Sequence, residues 1–197
     1  MKFNILKCND SGFNDVWDKF VMENDNAGPF YLRLFMEQML NRGSSKKRGD
    51  DYETKNMSFI IRSNEDAVCI VPLIIEKSDN KNFFSTNLGF NTFYCPLVKL
   101  LLNESIKNKI RKFAFNEIEL LAQKNNILKS IFAIDPINYF HEKEYYNYLH
   151  CYGFIDATIA THVIDLSLSL KKLKSRIRKS YTSIINKGLK TFKFSIL

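Results

Sequence analysis

Cysteine is scarce in this chain of 197 residues, and the cysteines that occur are scattered. They stand at positions 8, 69, 95 and 151, with no C-x-x-C pair among them. A structural zinc site or a disulfide framework needs a regular cysteine spacing, so this pattern argues against both and favours a reducing compartment. We therefore expect buried thiols and no metal site.

Long apolar runs are also missing. The longest, AVCIVPLII at 67–75, is about half of the roughly 20 residues that a membrane-spanning helix needs. The first residues, MKFNILKCNDSGF, contain no apolar run of the length found in secretory signal peptides. Both absences predict a cytoplasmic protein without a transmembrane segment.

Glycine-rich phosphate loops are absent, because neither G-x-G-x-x-G nor G-x-x-x-x-G-K-[ST] occurs. The segment NRGSSKKRG (41–49) imitates the Arg/Gln-x-x-Gly-x-Gly/Ala pyrophosphate loop of acetyltransferases. Its glycines are wrongly spaced and it does not join a strand to a helix, so a standard acetyl-CoA site is not evident. The adjacent His150 and Cys151 would point to different faces of a helix, which argues against a Cys/His nucleophile pair.

Acidic residues are absent from the last part of the chain. Residues 171–197 carry nine Lys or Arg and no Asp or Glu, whereas residues 1–170 carry 20 basic and 21 acidic residues. The net charge of +8 is therefore a local feature. Such a block marks either a surface for an anion, such as phosphate, nucleic acid or anionic lipid, or a solvated helix face.

Apolar residues are plentiful enough for one ordinary domain, with 45% hydrophobic residues and 17 phenylalanines. The order of the expected elements indicates an α+β (mixed α/β) fold with a central, mostly antiparallel sheet flanked by helices. Apolar spacing predicts helices over 14–24, 29–40, 103–126 with Asn103 as N-cap, and 142–154 ended by Gly153. It predicts a mobile loop over 41–56, a hairpin of strands 57–63 and 67–77, and strands 90–98, 129–135 and 160–167.

Three residues in these strands stand out. Pro72 lacks an N–H and needs an edge or a bulge. Asp135 and Asp165 each end an apolar strand, where they either border a ligand cleft or cap the next turn.

The basic segment itself predicts a helix over 169–190. Ser169 is a plausible N-cap, Gly188 a plausible end, and Lys and Arg surround one apolar stripe. TFKFSIL (191–197) then alternates like a new strand with nothing after it, which is typical of a cut or prematurely ended chain. The expected domains are a lobe at 1–168, a basic amphipathic linker helix at 169–190 and the first strand of a truncated second lobe at 191–197. The stripe comprises Leu173, Ile177, Tyr181, Ile184 and Ile185.

The run THVIDLSLSLKKLKSRIRKSYTSIINKGLK (161–190) resembles the end of the first lobe of FemAB-like proteins. That pattern is a Thr-containing strand closing on Asp-Leu-Ser, a helix with Leu-Arg-Lys-Ser-Tyr or similar, and then Ile-Asn-Lys-Gly or similar. The upstream segments PFYLRLFMEQML, VPLII, TFYCPLV and LHCYGF occur in the order expected of that lobe. The resemblance covers essentially the whole chain, and its last thirty residues are the specific part.

The resemblance implies one of two tandem GNAT-type acyltransferase lobes. In such proteins the second lobe mainly serves the donor, an aminoacyl-tRNA or acyl-CoA, and a nucleotide-linked acceptor lies between the lobes. Family members attach amino acids to peptidoglycan precursors or acylate amines in polysaccharide pathways. We therefore expect a lobe that binds no cofactor, is inactive alone, lacks its second lobe and self-associates. Its expected partners are a nucleotide-linked sugar or cell-wall precursor, and tRNA.

The resemblance also points to site residues, although it identifies no catalytic residue. Contacts to acceptor phosphates or tRNA are expected from Arg176, Arg178, Tyr181 and Lys187. A lysine that cell-wall members carry in the early helix region is not evident, since Arg33 is the only base there. Two other interpretations stay open: a nucleic-acid-binding domain that uses the basic helix 171–190, and an interfacial membrane anchor.

Overall fold

The chain divides into two units, Met1–Asp156 and Ala157–Leu197, which are described separately. A computed structural model describes residues 2–43, 53–78, 80–84, 93–135, 147–156, 167–177 and 179–192. The first unit combines helices with sheets whose pairings are mostly antiparallel, which confirms the α+β fold class. Within these ranges, no helix has both the length and the apolar character that crossing a bilayer requires.

The described strands of the first unit form two larger sheets and one small one. The described pairings are antiparallel except those of Lys81–Phe84 with Ile127–Ser130 and of Phe93–Tyr94 with Phe132–Ala133, which are parallel. The first sheet has the order β1-β3-β4-β8, from Phe3–Lys7 (β1), Phe59–Ser63 (β3), Asp66–Val71 (β4) and Leu97–Val98 (β8). The second has the order β2-β5-β6-β9, from Glu53–Asn56 (β2), Ile74–Ser78 (β5), Lys81–Phe84 (β6) and Ile127–Ser130 (β9); the third pairs Phe93–Tyr94 (β7) with Phe132–Ala133 (β10).

The described helices of the first unit flank its sheets. They are α1 (Phe13–Met22), a 3-10 helix (Pro29–Tyr31), α2 (Arg33–Gly43), α3 (Glu104–Lys124) and a second 3-10 helix (Tyr148–Tyr152). The second unit contains α4 (Leu170–Arg176) and α5 (Lys179–Thr191).

The central strands β3 and β4 of the first sheet are buried on both faces, which explains their nearly continuous apolar sequences. The predicted hairpin of β3 and β4 is confirmed, with Ile60 opposite Ile70 and Ile61 opposite Cys69. Because neighbouring side chains of a strand point to opposite faces, Ile60 and Ile70 pack with Trp17 of α1. Ile61 and Cys69 pack instead in the cluster that contains the buried face of α3.

Pro72 separates two strands instead of interrupting one. β4 ends at Val71 and β5 begins at Ile74, and the two strands belong to different sheets. The single strand expected over 67–77 is therefore wrong, because a residue without an N–H ends the ladder and the chain changes sheet there. The strands expected over 90–98 and 129–135 divide in the same way, into β7 and β8 and into β9 and β10.

Several other boundaries differ from the sequence-based expectation. The helix expected over 29–40 is a 3-10 helix followed by α2, and the polar segment 41–56 ends in strand β2. The described part of 142–154 is a 3-10 helix, and Gly153 ends it with φ 81° as predicted. The expected strands 160–167 and 191–197 lie almost wholly outside the described residues.

The basic segment forms two helices, so a single helix over 169–190 is wrong. Ser169 is confirmed as the N-cap of α4, since its Oγ accepts a hydrogen bond from the Lys172 N–H at 3.4 Å. Ile177 then adopts an extended backbone, φ −77° and ψ 130°, which ends α4. Gly188 does not end α5, because its carbonyl accepts a hydrogen bond from the Phe192 N–H at 2.9 Å and the helix continues to Thr191.

Replacing the N-cap of α3 should cost about 1 kcal/mol of the free energy of unfolding. The Asn103 side-chain oxygen accepts a hydrogen bond from the Ile106 N–H at 3.0 Å, and Asn103→Ala leaves that N–H without its partner. Urea denaturation followed by circular dichroism measures the change. Asn116→Ala, an exposed position inside the same helix, is the matched control and should be neutral or slightly stabilising; an equal loss in both variants would contradict the cap.

Candidate functional site

Asp135 lies at the end of the parallel strand pair β7 and β10. It follows β10 by two residues, and Ala133 of β10 is in register with Tyr94 of β7. Asp135 is buried, with 1% of its surface exposed. The backbone of Gly28 passes so close that a Cβ at position 28 would overlap the Asp135 carboxylate. Since ligand sites of α/β proteins often lie at the carboxyl ends of parallel strands, this is the candidate site of the first unit.

Two tyrosines, Tyr31 and Tyr94, lie close enough to feel the charge of Asp135, and a third, Tyr148, lies close to Tyr31. Tyr31 closes the first 3-10 helix and donates a hydrogen bond from its hydroxyl to the Cys95 carbonyl oxygen at 2.8 Å. Tyr94 ends β7, and its ring lies 5.9 Å from that of Tyr31 between centroids. Phe30 stacks on Tyr94, and the centroids of the two rings are 4.5 Å apart. Tyr148 begins the second 3-10 helix.

Arg111 brings a positive charge to Tyr148. Its guanidinium carbon lies 4.6 Å from the centroid of the Tyr148 ring, within the range of a cation–π contact. The same guanidinium is 3.7 Å from a carboxylate oxygen of Glu104 and donates a hydrogen bond to Asn108 at 3.2 Å. We call Tyr31, Tyr94, Arg111, Asp135 and Tyr148 the Tyr–Asp cluster.

The environment of the cluster keeps its phenols neutral. Burial, and secondly the charge of Asp135, raise the pKa of Tyr94 to about 12. Burial also raises the pKa of Tyr31 and of Tyr148 well above the usual tyrosine value. A neutral phenol can donate a hydrogen bond to a developing oxyanion, and a buried carboxylate can accept a proton from an amine. The cluster therefore contains the residue types that acyl transfer to an amine uses.

The raised phenol pKa values predict a loss of stability at alkaline pH. Burial disfavours the tyrosinate anion in the folded chain, so the unfolded chain releases its phenol protons first. The part of the free energy of unfolding that depends on neutral phenols is fully present below about pH 10. It is lost as pH rises toward the Tyr94 pKa of about 12. Urea midpoints measured across this window should fall less steeply for Tyr94→Phe than for the parent chain; parallel curves would contradict the assignment.

The second unit carries a separate polar surface on α5. Its six polar side chains follow the spacing i, i+3, i+4, i+7, i+8 and i+11, which places them on one side of a helix. We call this surface the lysine face. It comprises Lys179, Thr182, Ser183, Asn186, Lys187 and Lys190.

The site residues expected from the sequence do not all meet on that face. Lys187 belongs to it, whereas Arg176 is exposed at the end of α4 and Arg178 lies outside the described residues. Tyr181 is six positions from Lys187, about 120° around the helix. Tyr181 lies instead on the apolar side with Ile184, and both are more than half exposed. The structure therefore does not bring Tyr181 and Lys187 together on one surface of α5.

Arg33, the base in the early helix region, is held by two carboxylates. Its guanidinium is 3.1 Å from an Asp18 oxygen and 2.6 Å from a Glu37 oxygen. These partners, Asp18 first, raise the pKa of Arg33. The guanidinium N–H groups of Arg33 therefore donate to Asp18 and Glu37 of the chain itself.

The connection that leads from the sheet into α3 is Lys99–Asn103, with the sequence KLLLN. It has no glycine, so its backbone does not have the composition of a pyrophosphate loop. Among the residues that the structure describes, no group of three or more His, Cys, Asp or Glu is placed to hold a metal ion.

Sequence reasoning singled out Asp135 only as a residue that either borders a cleft or caps a turn. It missed the rest of the Tyr–Asp cluster, whose members come from distant segments without a shared motif. Comparison with known proteins adds no relative: no protein-family model, no curated protein and no solved structure matches this chain.

Proposed function

We propose that this chain provides the acceptor-side, N-terminal lobe of a FemAB-like, GNAT-type N-acyltransferase. The intact enzyme transfers an acyl or aminoacyl group from acyl-CoA or aminoacyl-tRNA to an amine of a nucleotide-linked sugar or cell-wall precursor. In this proposal the donor is bound chiefly by a second lobe, and the present chain alone is inactive.

The observation that carries the proposal is the Tyr–Asp cluster at the end of a parallel strand pair in an α+β lobe. Acyl transfer requires the amine nitrogen to attack the acyl carbon, the thiol or hydroxyl of the donor to leave, and the amine to lose a proton. Asp135 is the buried carboxylate suited to accept that proton, and the neutral phenol of Tyr94 is suited to stabilise the oxyanion.

Two further features support an acceptor-side role. The connection before α3 lacks the glycines of a pyrophosphate loop, in keeping with donor binding elsewhere. The lysine face presents three ammonium groups next to the Thr182, Ser183 and Asn186 side chains, a combination suited to phosphate oxygens. Lys187 is therefore the sequence-predicted contact that we retain for acceptor phosphates, with Lys179 and Lys190 added. Arg176, Arg178 and Tyr181 stay predictions.

A transfer assay tests the inactivity of the lobe. The 197-residue chain is incubated with an acyl-CoA or an aminoacyl-tRNA and a nucleotide-linked amino sugar, and acylated product is followed by mass spectrometry. We expect no transfer above the rate without protein. Transfer that is lost in Asp135→Asn would contradict the need for a second lobe while retaining the role of Asp135.

A second candidate, nucleic-acid binding, is favoured by the lysine face itself. If three lysines neutralise three phosphates of single-stranded RNA, the logarithm of the binding constant should fall with the logarithm of salt concentration at a slope of about −2. Fluorescence anisotropy of a labelled oligonucleotide measures the slope. Replacing Lys179, Lys187 and Lys190 by Gln should remove most of this salt dependence. The control Lys109→Gln with Lys112→Gln on α3 should leave the slope unchanged. Equal slopes for the two variants would exclude this function for the lysine face.

A further inference from the structure

A cavity of about 260 Å³ lies in the first unit, between the N-terminal strand and the C-terminal half of α3. It shares no residue with the Tyr–Asp cluster or with the lysine face. Its walls come from β1 and the turn after it, from the segment joining β2 to β3, and from α3. Its volume is slightly below the range of about 300–1,000 Å³ that is typical of small-molecule sites.

The inner surface of the cavity is apolar. Ile5 of β1, Met57, Phe59 of β3 and Leu121 of α3 line it. Phe59 is buried in the core, while the other three are partly exposed. A ligand with an aromatic or branched aliphatic body would cover these partly exposed side chains and gain the free energy of burying apolar surface.

The polar lining of the cavity is mainly positive. Lys7, Lys55 and Lys124 contribute three positive charges against one negative charge from Glu117. Among the described residues, none of these three lysines forms an ion pair. Lys124 is the last residue of α3, whose terminal carbonyl groups carry partial negative charge. An anionic group is therefore favoured on the side of Lys7 and Lys55.

The wall next to these two lysines is held by hydrogen bonds. The Cys8 N–H donates to the Ser58 carbonyl at 3.1 Å, and the Cys8 thiol donates to the Asn56 carbonyl at 3.4 Å. The Ser58 N–H in turn donates to the Asn56 side-chain oxygen at 2.9 Å. These contacts tie β1 to the start of β3, so the cavity is formed before any ligand binds.

We propose that this cavity binds a small organic anion, a carboxylate with an aromatic or branched apolar body. The apolar body lies against Met57 and Leu121, and the carboxylate lies toward Lys7 and Lys55. This site goes beyond the proposed acyltransferase function and does not depend on it, because no residue of the cavity takes part in that function.

Protection of Cys8 from alkylation tests the site in the full chain. In a Cys151→Ser background Cys8 is the accessible thiol, since Cys69 and Cys95 are fully buried. The probe is 3-phenylpropionate, and its matched control is the uncharged 3-phenylpropionamide. We expect the acid to slow the iodoacetamide reaction of Cys8 by about fivefold or more at saturation, with the amide at least about threefold weaker in apparent affinity.

Two variants separate recognition by charge from general packing. Lys7→Gln combined with Lys55→Gln should weaken the apparent affinity for the acid about three- to tenfold and leave the amide unchanged. Lys112→Gln, an exposed lysine of α3 outside the cavity, should change neither. The proposal is overturned if acid and amide protect Cys8 equally, if neither protects it, or if the double variant binds the acid as well as the parent chain does.

Discussion

Trp17→Ala should lower the free energy of unfolding by about 3–5 kcal/mol. Trp17 has 2% of its surface exposed and joins α1 to the first sheet by packing with Ile60 and Ile70. Its indole N–H also donates to the Tyr31 carbonyl oxygen at 2.8 Å, which fixes the end of the first 3-10 helix. Truncation therefore leaves a cavity and an unsatisfied carbonyl, and urea denaturation followed by circular dichroism measures the loss.

Two controls identify the source of that loss. Met22→Ala on the same helix removes a side chain that is 80% exposed, so a change within about 0.5 kcal/mol is expected. Trp17→Phe keeps an aromatic ring but removes the hydrogen bond, and its cost should fall between those of the two alanine variants. A Trp17→Ala cost no greater than that of Met22→Ala would show that α1 does not pack on the sheet as described.

Gly28→Ala should destabilise the chain by about 1–3 kcal/mol, although alanine can adopt this backbone conformation. Gly28 has φ −76° and ψ 168°, an extended conformation open to any residue. The cost comes instead from the added Cβ, which would overlap the Asp135 carboxylate. Because Asp135 is buried, its carboxylate has little room to move away.

A double-mutant cycle assigns this cost to the pair. In an Asp135→Ala background the overlapping atoms are gone, so Gly28→Ala should cost less than about 0.5 kcal/mol. Gly188→Ala, where no atom lies within 4 Å of the added Cβ, should instead raise the helicity of α5 slightly. An equal cost of Gly28→Ala with and without Asp135 would contradict the close approach on which the candidate site rests.

The elements with strong local signals were predictable from the sequence. Apolar residues at helical spacing indicate α1 and α3, and Asn103 marks the start of α3. A short polar turn between two apolar segments indicates the β3–β4 hairpin. β2 carries no such signal, because ETKN is polar. It forms by pairing with β5, where Glu53 is opposite Lys77 and the two side chains form an ion pair at 3.7 Å. Such a strand depends on its neighbour more than on its own residues.

The changes of sheet and the break in the basic segment were harder to predict. A proline in an apolar run indicates an irregularity, but not that the strands before and after it join different sheets, as at Pro72. Ile177 continues the helical apolar period and still adopts an extended backbone. The Tyr–Asp cluster is a product of tertiary structure, because residues 31, 94, 111, 135 and 148 share no sequence motif.

The most direct test of the proposed function is the affinity of the chain for a nucleotide-linked amino sugar with a free amine, such as UDP-glucosamine, measured by isothermal titration calorimetry. The account predicts saturable binding with a stoichiometry of one. Replacing Lys179, Lys187 and Lys190 by Gln should weaken it about tenfold or more, whereas Lys109→Gln and Lys112→Gln should leave it unchanged. No binding of the nucleotide sugar, together with salt-dependent binding of RNA by the same lysines, would contradict the acceptor-side acyltransferase lobe.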